Sequence, residues 1–287
     1  MTDTALPHPG TNAGATSGLS SDTPSGTPTL QVVDGLATLR LNRPAHHNRL
    51  HVEDLQVLQQ LIASLQADSA VHALPSDSAV HALVLTATGP SFCSGFHLGA
   101  LDESALSAGA GPRLFEQTVE ALEALAVPTL CRLNGSVYGG AIDLTLACDF
   151  RIGIDTMSLR MPAARLGLHY YPSGLRRYVS RLGLAAAKRL FLLAETVPAG
   201  ELLRIGYLDR LASAERLDAE VQGLVDALRA GAPLALRGMK TSLNEIARGE
   251  YDLAELRQRE AQCAASDDLR EGKAAQAQRR EPRFQGR

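Results

Sequence analysis

Apolar positions alternate with polar ones at the start of the ordered-looking chain and then fall into helical spacing. Leu30-Gln-Val-Val33 and Leu36-Ala-Thr-Leu-Arg-Leu41 flank Asp34-Gly35, which predicts two strands around a tight hairpin turn. Asn42-Arg43-Pro44 stops the second strand. Leu55, Leu58, Leu61, Ile62 and Leu65 then recur as one face of an amphipathic helix over about 52–66. Ala82-Leu-Val-Leu-Thr86 reads as a short strand, followed by a helix around 112–125 and a strand at Thr129–Leu133. A Gly-rich turn leads into a helix at 139–147, and strands are predicted near 149–154 and 157–161. Helices are expected around 174–194, 199–205, 214–230, 234–248 and 252–265. Strands alternating with helices, then helices alone, predict α/β layers with a helical C-terminal extension.

Two segments stand outside this pattern. Residues 1–28 contain 18 Gly, Pro, Ser or Thr and almost nothing apolar, so the expectation is a disordered tail that cannot offset its own chain entropy. Asp68-Ser-Ala-Val-His-Ala-Leu74 recurs word for word as Asp77-Ser-Ala-Val-His-Ala-Leu83. One short tandem copy does not make a solenoid. It reads as a duplication absorbed by a surface loop, with the second copy feeding the strand that begins at Ala82.

Composition narrows the function. The 287 residues are 45% hydrophobic but only 4% aromatic, with no Trp, and the formal net charge is −3. That length suits one large domain with ample core, and that charge leaves no footprint for nucleic acid or an anionic membrane. Arg outnumbers Lys 25 to 3. Cys93, Cys131, Cys148 and Cys263 are widely spaced, so neither a zinc site nor a disulfide framework is expected, and a reducing, cytoplasmic setting fits. The opening MTDTALPHPG lacks the features of a secretory signal, and no apolar run approaches the ~20 residues that cross a bilayer.

Candidate chemistry lies in two segments that each follow a predicted strand: Gly89-Pro-Ser-Phe-Cys-Ser-Gly-Phe-His-Leu98 and Asn134-Gly-Ser-Val-Tyr-Gly-Gly-Ala-Ile-Asp143. Small residues there allow close backbone approach, and each segment enters a predicted helix whose first N–H groups have no intrahelical partner. Two such N–H groups converging on one oxygen would stabilise an oxyanion. Phosphate-loop, dinucleotide-binding and nucleophile-elbow patterns are absent.

These segments, with Leu41-Asn-Arg-Pro44, Asn48, Leu50, Ala147-Cys-Asp149, Leu166-Gly167, Arg181-Leu-Gly183, Ala199, Gly206-Tyr-Leu208, Ser266-Asp-Asp-Leu-Arg-Glu-Gly272 and Arg279-Arg-Glu-Pro-Arg-Phe284, resemble the crotonase, or enoyl-CoA hydratase/isomerase, superfamily over roughly residues 30–287. The resemblance implies an α/β spiral of ββα units over 29–212, behind the tail of 1–28, and a helical C-terminal trimerisation region over 213–287. It further implies an acyl-CoA thioester as substrate, a homotrimer or dimer of trimers, no metal, and no cofactor beyond the coenzyme A that the substrate carries. It puts the oxyanion-hole N–H groups on Phe96 and Gly140, and substrate contacts at Asn48, Gly95, His97, Leu98, Tyr138, Gly139 and His169.

Acid–base residues choose the reaction in such a site, and here the sequence departs from the hydratases it resembles. They carry one Glu a helical turn after the second oxyanion glycine, where this chain has Asp143. They carry a second Glu in a Pro-Glu segment, where this chain reads Pro162-Ala163. Ala163 cannot transfer a proton, which puts two-carboxylate water addition in doubt. Family members that decarboxylate malonyl-type thioesters also lack the second Glu and place a Tyr at the position of Tyr170. Asp143 and Tyr170 are therefore the expected acid–base residues, with Tyr170 and Tyr171 open to catalysis or to packing. The alternatives are a malonyl-type acyl-CoA decarboxylase and a catalytically inactive acyl-CoA-binding member. His46-His47-x-x-x-His51 is read as substrate contact or solvated turn before metal site, and Arg176, Arg177, Arg181, Lys188 and Arg189 as a solvated or subunit-facing helix surface.

Overall fold

The computed structural model describes residues 26–70, 80–97, 99 and 110–287. The expected tail up to residue 25, the centre of the duplication at 71–79, and Leu98 lie outside the described residues.

Strand β1 (Thr29–Val33) pairs antiparallel with β2 (Leu36–Leu41) across Asp34 and Gly35, whose φ angles of 48° and 71° close the two-residue hairpin. Helix α1 (Val52–Ala70) then crosses to β3 (Ala82–Ala87), and α2 (Ala110–Glu123) leads to β4 (Thr129–Leu133). From there the chain repeats one device. Strand β4 is followed by the two-residue β5 (Val137–Tyr138) and α3 (Ala141–Leu146). Strand β6 (Phe150–Ile154) is followed by β7 (Ser158–Arg160) and α4 (Pro172–Lys188). Two short strands, β8 (Thr196–Pro198) and β9 (Arg210–Ala212), bracket α5 (Ala199–Arg204). The long strands form a six-stranded sheet in the order β1-β2-β3-β4-β6-β9, parallel in every pair after the first. The short ones form a second sheet, β5-β7-β8. This is the α/β layering, with its ββα repeat, that the sequence led us to expect.

A parallel sheet has to be covered on both faces, and β3 records this in its unbroken burial. Leu83, Leu85 and Ala87 join one cluster with Leu55, Leu58, Ile62 and Leu65 of α1. Ala82 and Val84, on the opposite face, join Leu130, Ile152 and the Leu217, Val221 and Val225 side chains of α6 (Leu217–Arg229). Helix α6, which the sequence groups with the C-terminal helices, thus covers the sheet of its own chain. Helices α7 (Pro233–Arg248), α8 (Leu253–Ala265) and α9 (Asp267–Gln278) follow. None of the helices among the described residues is long and apolar enough to cross a membrane.

Three details differ from the sequence reading. Helix α1 runs on to Ala70, so the first residues of the duplicated segment continue it. The expected helix at 174–194 begins earlier, at Pro172, which suits a first helical position where no N–H is needed. It also ends in a wide turn over Arg189–Leu193. Helix α9 was not anticipated: its first turn is capped by Ser266 Oγ, which accepts from Leu269 N at 3.1 Å, and its helical face carries little apolar periodicity.

One of the three lysines ties the C-terminal helices to the sheet. The buried Lys240 Nζ of α7 donates to Val127 O at 2.8 Å and pairs with Asp149 Oδ2 at 2.8 Å. Replacing it leaves a half-buried carboxylate and a carbonyl without their cation. We expect Lys240→Met to lower unfolding free energy by about 3 kcal/mol in urea titrations, because removing one partner of a buried pair costs that order.

Candidate functional site

The two Gly-rich segments lie side by side because backbone hydrogen bonds stitch them together. Phe92 N and Cys93 N donate to Ser136 O at 3.2 and 3.4 Å, and Tyr138 N donates to Cys93 O at 3.0 Å. Close approach is possible only without side chains. A Cβ at Gly135 would overlap the Pro90 carbonyl, and one at Gly95 would lie 2.8 Å from Tyr138 O and 3.4 Å from Gly140 N. Gly95 also has φ of +97°, which favours glycine on its own account.

A third segment props the first. Leu50 N donates to Gly95 O and His97 N donates to Leu50 O, both at 2.9 Å, a parallel bridge centred on Phe96. Such a bridge uses the groups of residues 95 and 97 and leaves the Phe96 N–H out of the ladder. Gly140 stands immediately before α3, where the first N–H groups have no intrahelical acceptor. Among the described residues, neither the Phe96 nor the Gly140 N–H donates to a protein acceptor. Both residues line a cavity of about 220 Å³.

That cavity gathers most of the residues singled out in the sequence. Gly95, Phe96, Tyr138, Gly139, Gly140, His169 and Tyr170 line it. So do Phe115, Met161, Ala163 and Tyr171, and among the described residues no Asp, Glu, Lys or Arg lines it. Ala163 is therefore part of the cavity wall. His169 is exposed, with Nδ1 2.8 Å from the Tyr170 carbonyl.

Asp143 takes a different position from a lining residue. Its side chain has no exposed surface, and it stands behind the stacked Tyr170 and Tyr171 rings, whose centroids are 4.4 Å apart. Oδ2 accepts the Tyr171 hydroxyl and, at 2.7 Å, Arg177 Nη1. Oδ1 is buried without a hydrogen bond among the described residues. Gly174 makes the crowding possible, since a Cβ there would sit 2.5 Å from the Tyr170 ring, 2.7 Å from the Tyr171 ring and 2.9 Å from Asp143 Oδ2.

Charge is balanced behind the tyrosines. Arg177, 3% exposed, gives Nε to Glu123 Oε1 at 3.0 Å and Nη2 to Glu123 Oε2 at 3.2 Å. Arg181 and Arg248 approach the same carboxylate at 3.4 and 3.7 Å. Burial pushes the Asp143 carboxyl above its ordinary range, against the opposing pull of Arg177 and Tyr171. The Tyr171 phenol is also driven up, by burial first and then by Tyr170 and Asp143, so it stands as a neutral donor. Burial lifts Glu123 too, but Arg177, Arg181 and Arg248 outweigh it and hold the carboxyl below its ordinary 4.5.

Several expectations are corrected by this geometry. Asn48 does not reach the cavity: its amide donates to Thr88 O and Ser91 O at 2.8 and 2.9 Å, and its oxygen accepts from Arg43 N at 2.8 Å. Both its amide hydrogens and its oxygen are engaged in holding turns together. His97 lies outside the cavity lining, edge-on to His51 at 4.8 Å, and burial with Arg49 and His51 nearby lowers its pKa. Arg177 is not on a solvated surface. It falls on the buried face with Gly174 and Tyr178, and that i, i+3, i+4 spacing was the signal for it. Cys93 Sγ donates to Asn48 O at 3.0 Å, and burial raises its pKa to about 12, which makes it an inert thiol. His46, His47 and His51 form no metal cluster, and no group of three His, Cys, Asp or Glu among the described residues is placed to hold an ion.

Comparison with known proteins points one way. Residues 31–287 match the family model for enoyl-CoA hydratase/isomerase. The chain is 29% identical over 259 residues to a crotonyl-CoA hydratase of Syntrophomonas wolfei, with 89% of this chain and 96% of that protein covered. It is 31% identical over 268 residues to an enoyl-CoA isomerase/hydratase of Mycosarcoma maydis, covering 88% and 93%. Its fold superposes on an enoyl-CoA hydratase/carnithine racemase of Magnetospirillum magneticum with a TM-score of 0.82 at 24% identity, covering 91% and 96%.

The charge network has a pH signature. Glu123 binds its proton less readily in the folded chain than in the unfolded one, so its stabilisation is full above the unfolded value and lost as pH falls through the folded value. The difference in melting temperature between wild type and Glu123→Gln should therefore be large near pH 6 and shrink below the ordinary carboxyl value of 4.5. Calorimetry across that range checks it.

Proposed function

This chain belongs to the enoyl-CoA hydratase/isomerase family, and from that premise we propose that its cavity takes an acyl-CoA thioester and stabilises the enolate formed from it. The observation that carries this reading is the pair of N–H groups on Phe96 and Gly140, brought to one cavity by loops that touch and without an acceptor among the described residues. A thioester carbonyl oxygen set between them accepts both, and the bond strengthens as charge collects on that oxygen. A single preorganised donor of this kind is worth about a hundredfold or more in rate. Asp143 is the acid–base carboxyl of this reading, with the expected Tyr170 stacked on Tyr171 at the cavity wall beside it, and Tyr138, Gly139 and His169 shape the acyl end. The coenzyme A that the substrate carries is the sole cofactor it requires.

A second reading is favoured by a lining that carries no carboxylate among the described residues. Hydration needs a base to activate water, and Ala163 offers none. Loss of CO₂ from a malonyl-type thioester needs only the oxyanion donors and a proton for the resulting enolate. An apolar cavity also disfavours a substrate carboxylate in the ground state.

Assembly as a homotrimer or dimer of trimers belongs to the same proposal. Its support is the apolar surface left on α7 and just beyond it, where Met239, Leu243, Ile246 and Leu253 are each more than half exposed. The free thiols of Cys93, Cys131 and Cys148, all buried, suit a reducing cytoplasm.

Steady-state assays with crotonyl-CoA and methylmalonyl-CoA separate the reactions. We expect Asp143→Asn to cut turnover of the better substrate by about a hundredfold, the lower end for loss of acid–base function. Crotonyl-CoA turnover unaffected by that substitution would remove Asp143 from the mechanism. Tight thioester binding in calorimetry without any turnover would mark a binding protein instead. Light scattering in solution should return three or six times the 30.5 kDa chain mass, and a monomer would sink the assembly proposal.

A further inference from the structure

We propose that Tyr171 is the catalytic residue that meets the acyl group, and that it relays a proton between the substrate α-carbon and the buried Asp143 carboxylate. The inference rests on the enolate reading above and adds the route the proton takes. Asp143 has no exposed surface and does not line the cavity, whereas Tyr171 does. The Tyr171 hydroxyl is bonded to Asp143 Oδ2, so the phenol spans the wall between cavity and carboxylate. No other lining residue among the described residues holds a hydrogen bond to the Asp143 carboxylate; Tyr170 reaches it only through Tyr171, hydroxyl to hydroxyl at 3.5 Å. The sequence allows this arrangement because Asp is one methylene shorter than the Glu of the hydratases the chain resembles. A retracted carboxylate leaves room for an intervening hydroxyl.

The surrounding groups fix the relay in place. Arg177 Nη1 holds the same Oδ2 at 2.7 Å and is itself anchored on Glu123, so the carboxylate cannot swing toward the cavity without breaking an ion pair. Gly174 allows both tyrosine rings to approach Oδ2, and Phe115 meets the Tyr171 ring edge-on at 6.2 Å. Tyr171 lies in extended backbone immediately before Pro172, which fixes its direction at the head of α4.

Protons and electrons balance in either direction. When the enolate forms by deprotonation, the α-carbon proton passes to Tyr171 Oη as the phenolic proton passes to Asp143 Oδ2. The C–H electron pair moves into the enolate, whose charge rests on the oxygen held by Phe96 and Gly140. When the enolate forms by loss of CO₂, the C–C pair becomes the enolate. Asp143, carrying a proton, then delivers one through Tyr171 to the α-carbon. After product leaves, its own is restored by the reverse transfer, from water in the cavity to Tyr171 Oη as the phenolic proton passes to Asp143 Oδ2.

Exchange of the α-protons of butyryl-CoA in D₂O, followed by NMR, tests the relay with a thioester that has no double bond to hydrate and no carboxylate to lose. We expect Tyr171→Phe and Asp143→Asn each to slow exchange by about a hundredfold or more, with butyryl-CoA affinity within threefold of wild type. The double variant should lose no more than either alone, as groups acting in series do. Placing 3,5-difluorotyrosine at position 171 keeps the shape and makes the phenol more acidic. It should move the pH profile of exchange to lower pH, which a packing role would not do. Exchange within threefold of wild type in Tyr171→Phe, or multiplicative losses in the double variant, would overturn the relay alone. A wild type that exchanges no α-proton and turns over no thioester would overturn the enolate reading and the relay with it.

Discussion

Two backbone loops meet in this protein with no room for a Cβ between them, and the site depends on that contact. Gly95 faces the Tyr138 carbonyl and Gly140, while Gly135 faces the Pro90 carbonyl. Hydrogen bonds from Phe92, Cys93 and Tyr138 lock the register of the two loops. Each loop leaves the C-terminal end of a parallel strand, β3 or β4, and those strands are neighbours in the sheet. A parallel sheet thus delivers two chain segments to the same edge, where ligands of such folds are usually received. The cost is the conformational freedom that glycine loses on folding.

Behind the cavity runs a second constraint of another kind. Asp143, Arg177 and Glu123 form a buried chain of alternating charge, with Arg181 and Arg248 at its outer end. Taking such groups out of water costs several kcal/mol per ion, and their mutual attraction returns it only with well-made hydrogen bonds. The return on stability is therefore small, and the effect on geometry large. Arg177 sets one carboxylate oxygen, Tyr171 caps the same oxygen, and the tyrosine pair becomes the wall that the cavity presents. Among the described residues an apolar lining is thus backed by a buried ion chain, which holds the Asp143 carboxyl just behind the cavity wall.

Much of this was readable along the chain because the signals were local. Asp34-Gly35 between alternating apolar residues specifies a hairpin, and Leu55, Leu58, Ile62 and Leu65 specify a helix, since each depends on backbone preferences within a few residues. The glycines at 95, 135, 139 and 140 were legible because small residues after a strand have few uses. What escaped were strands of two or three residues, β5, β8 and β9, too short to show a period. Helix α9 escaped because its cap, Ser266, precedes a segment with little apolar face. The turn-holding bonds of Asn48 escaped as well: an Asn in a turn signals hydrogen bonding, but its partners Thr88 and Ser91 lie some forty residues away.

By itself the sequence determined the layered α/β order and the two glycine segments, because these follow from local preference and residue chemistry, while resemblance to the family marked Ala163 as standing where its hydratases carry a Glu. Tertiary structure alone decided that Ala163 faces the cavity, that Asp143 does not, and that Tyr171 stands between Asp143 and the space a substrate would fill. It also decided that Arg177 is a buried counter-ion and not a surface charge. The reason is the same in each case. These roles depend on which distant segments share a neighbourhood, and Asp143, Tyr171, Arg177 and Glu123 come together only once α2, α3 and the start of α4 have packed.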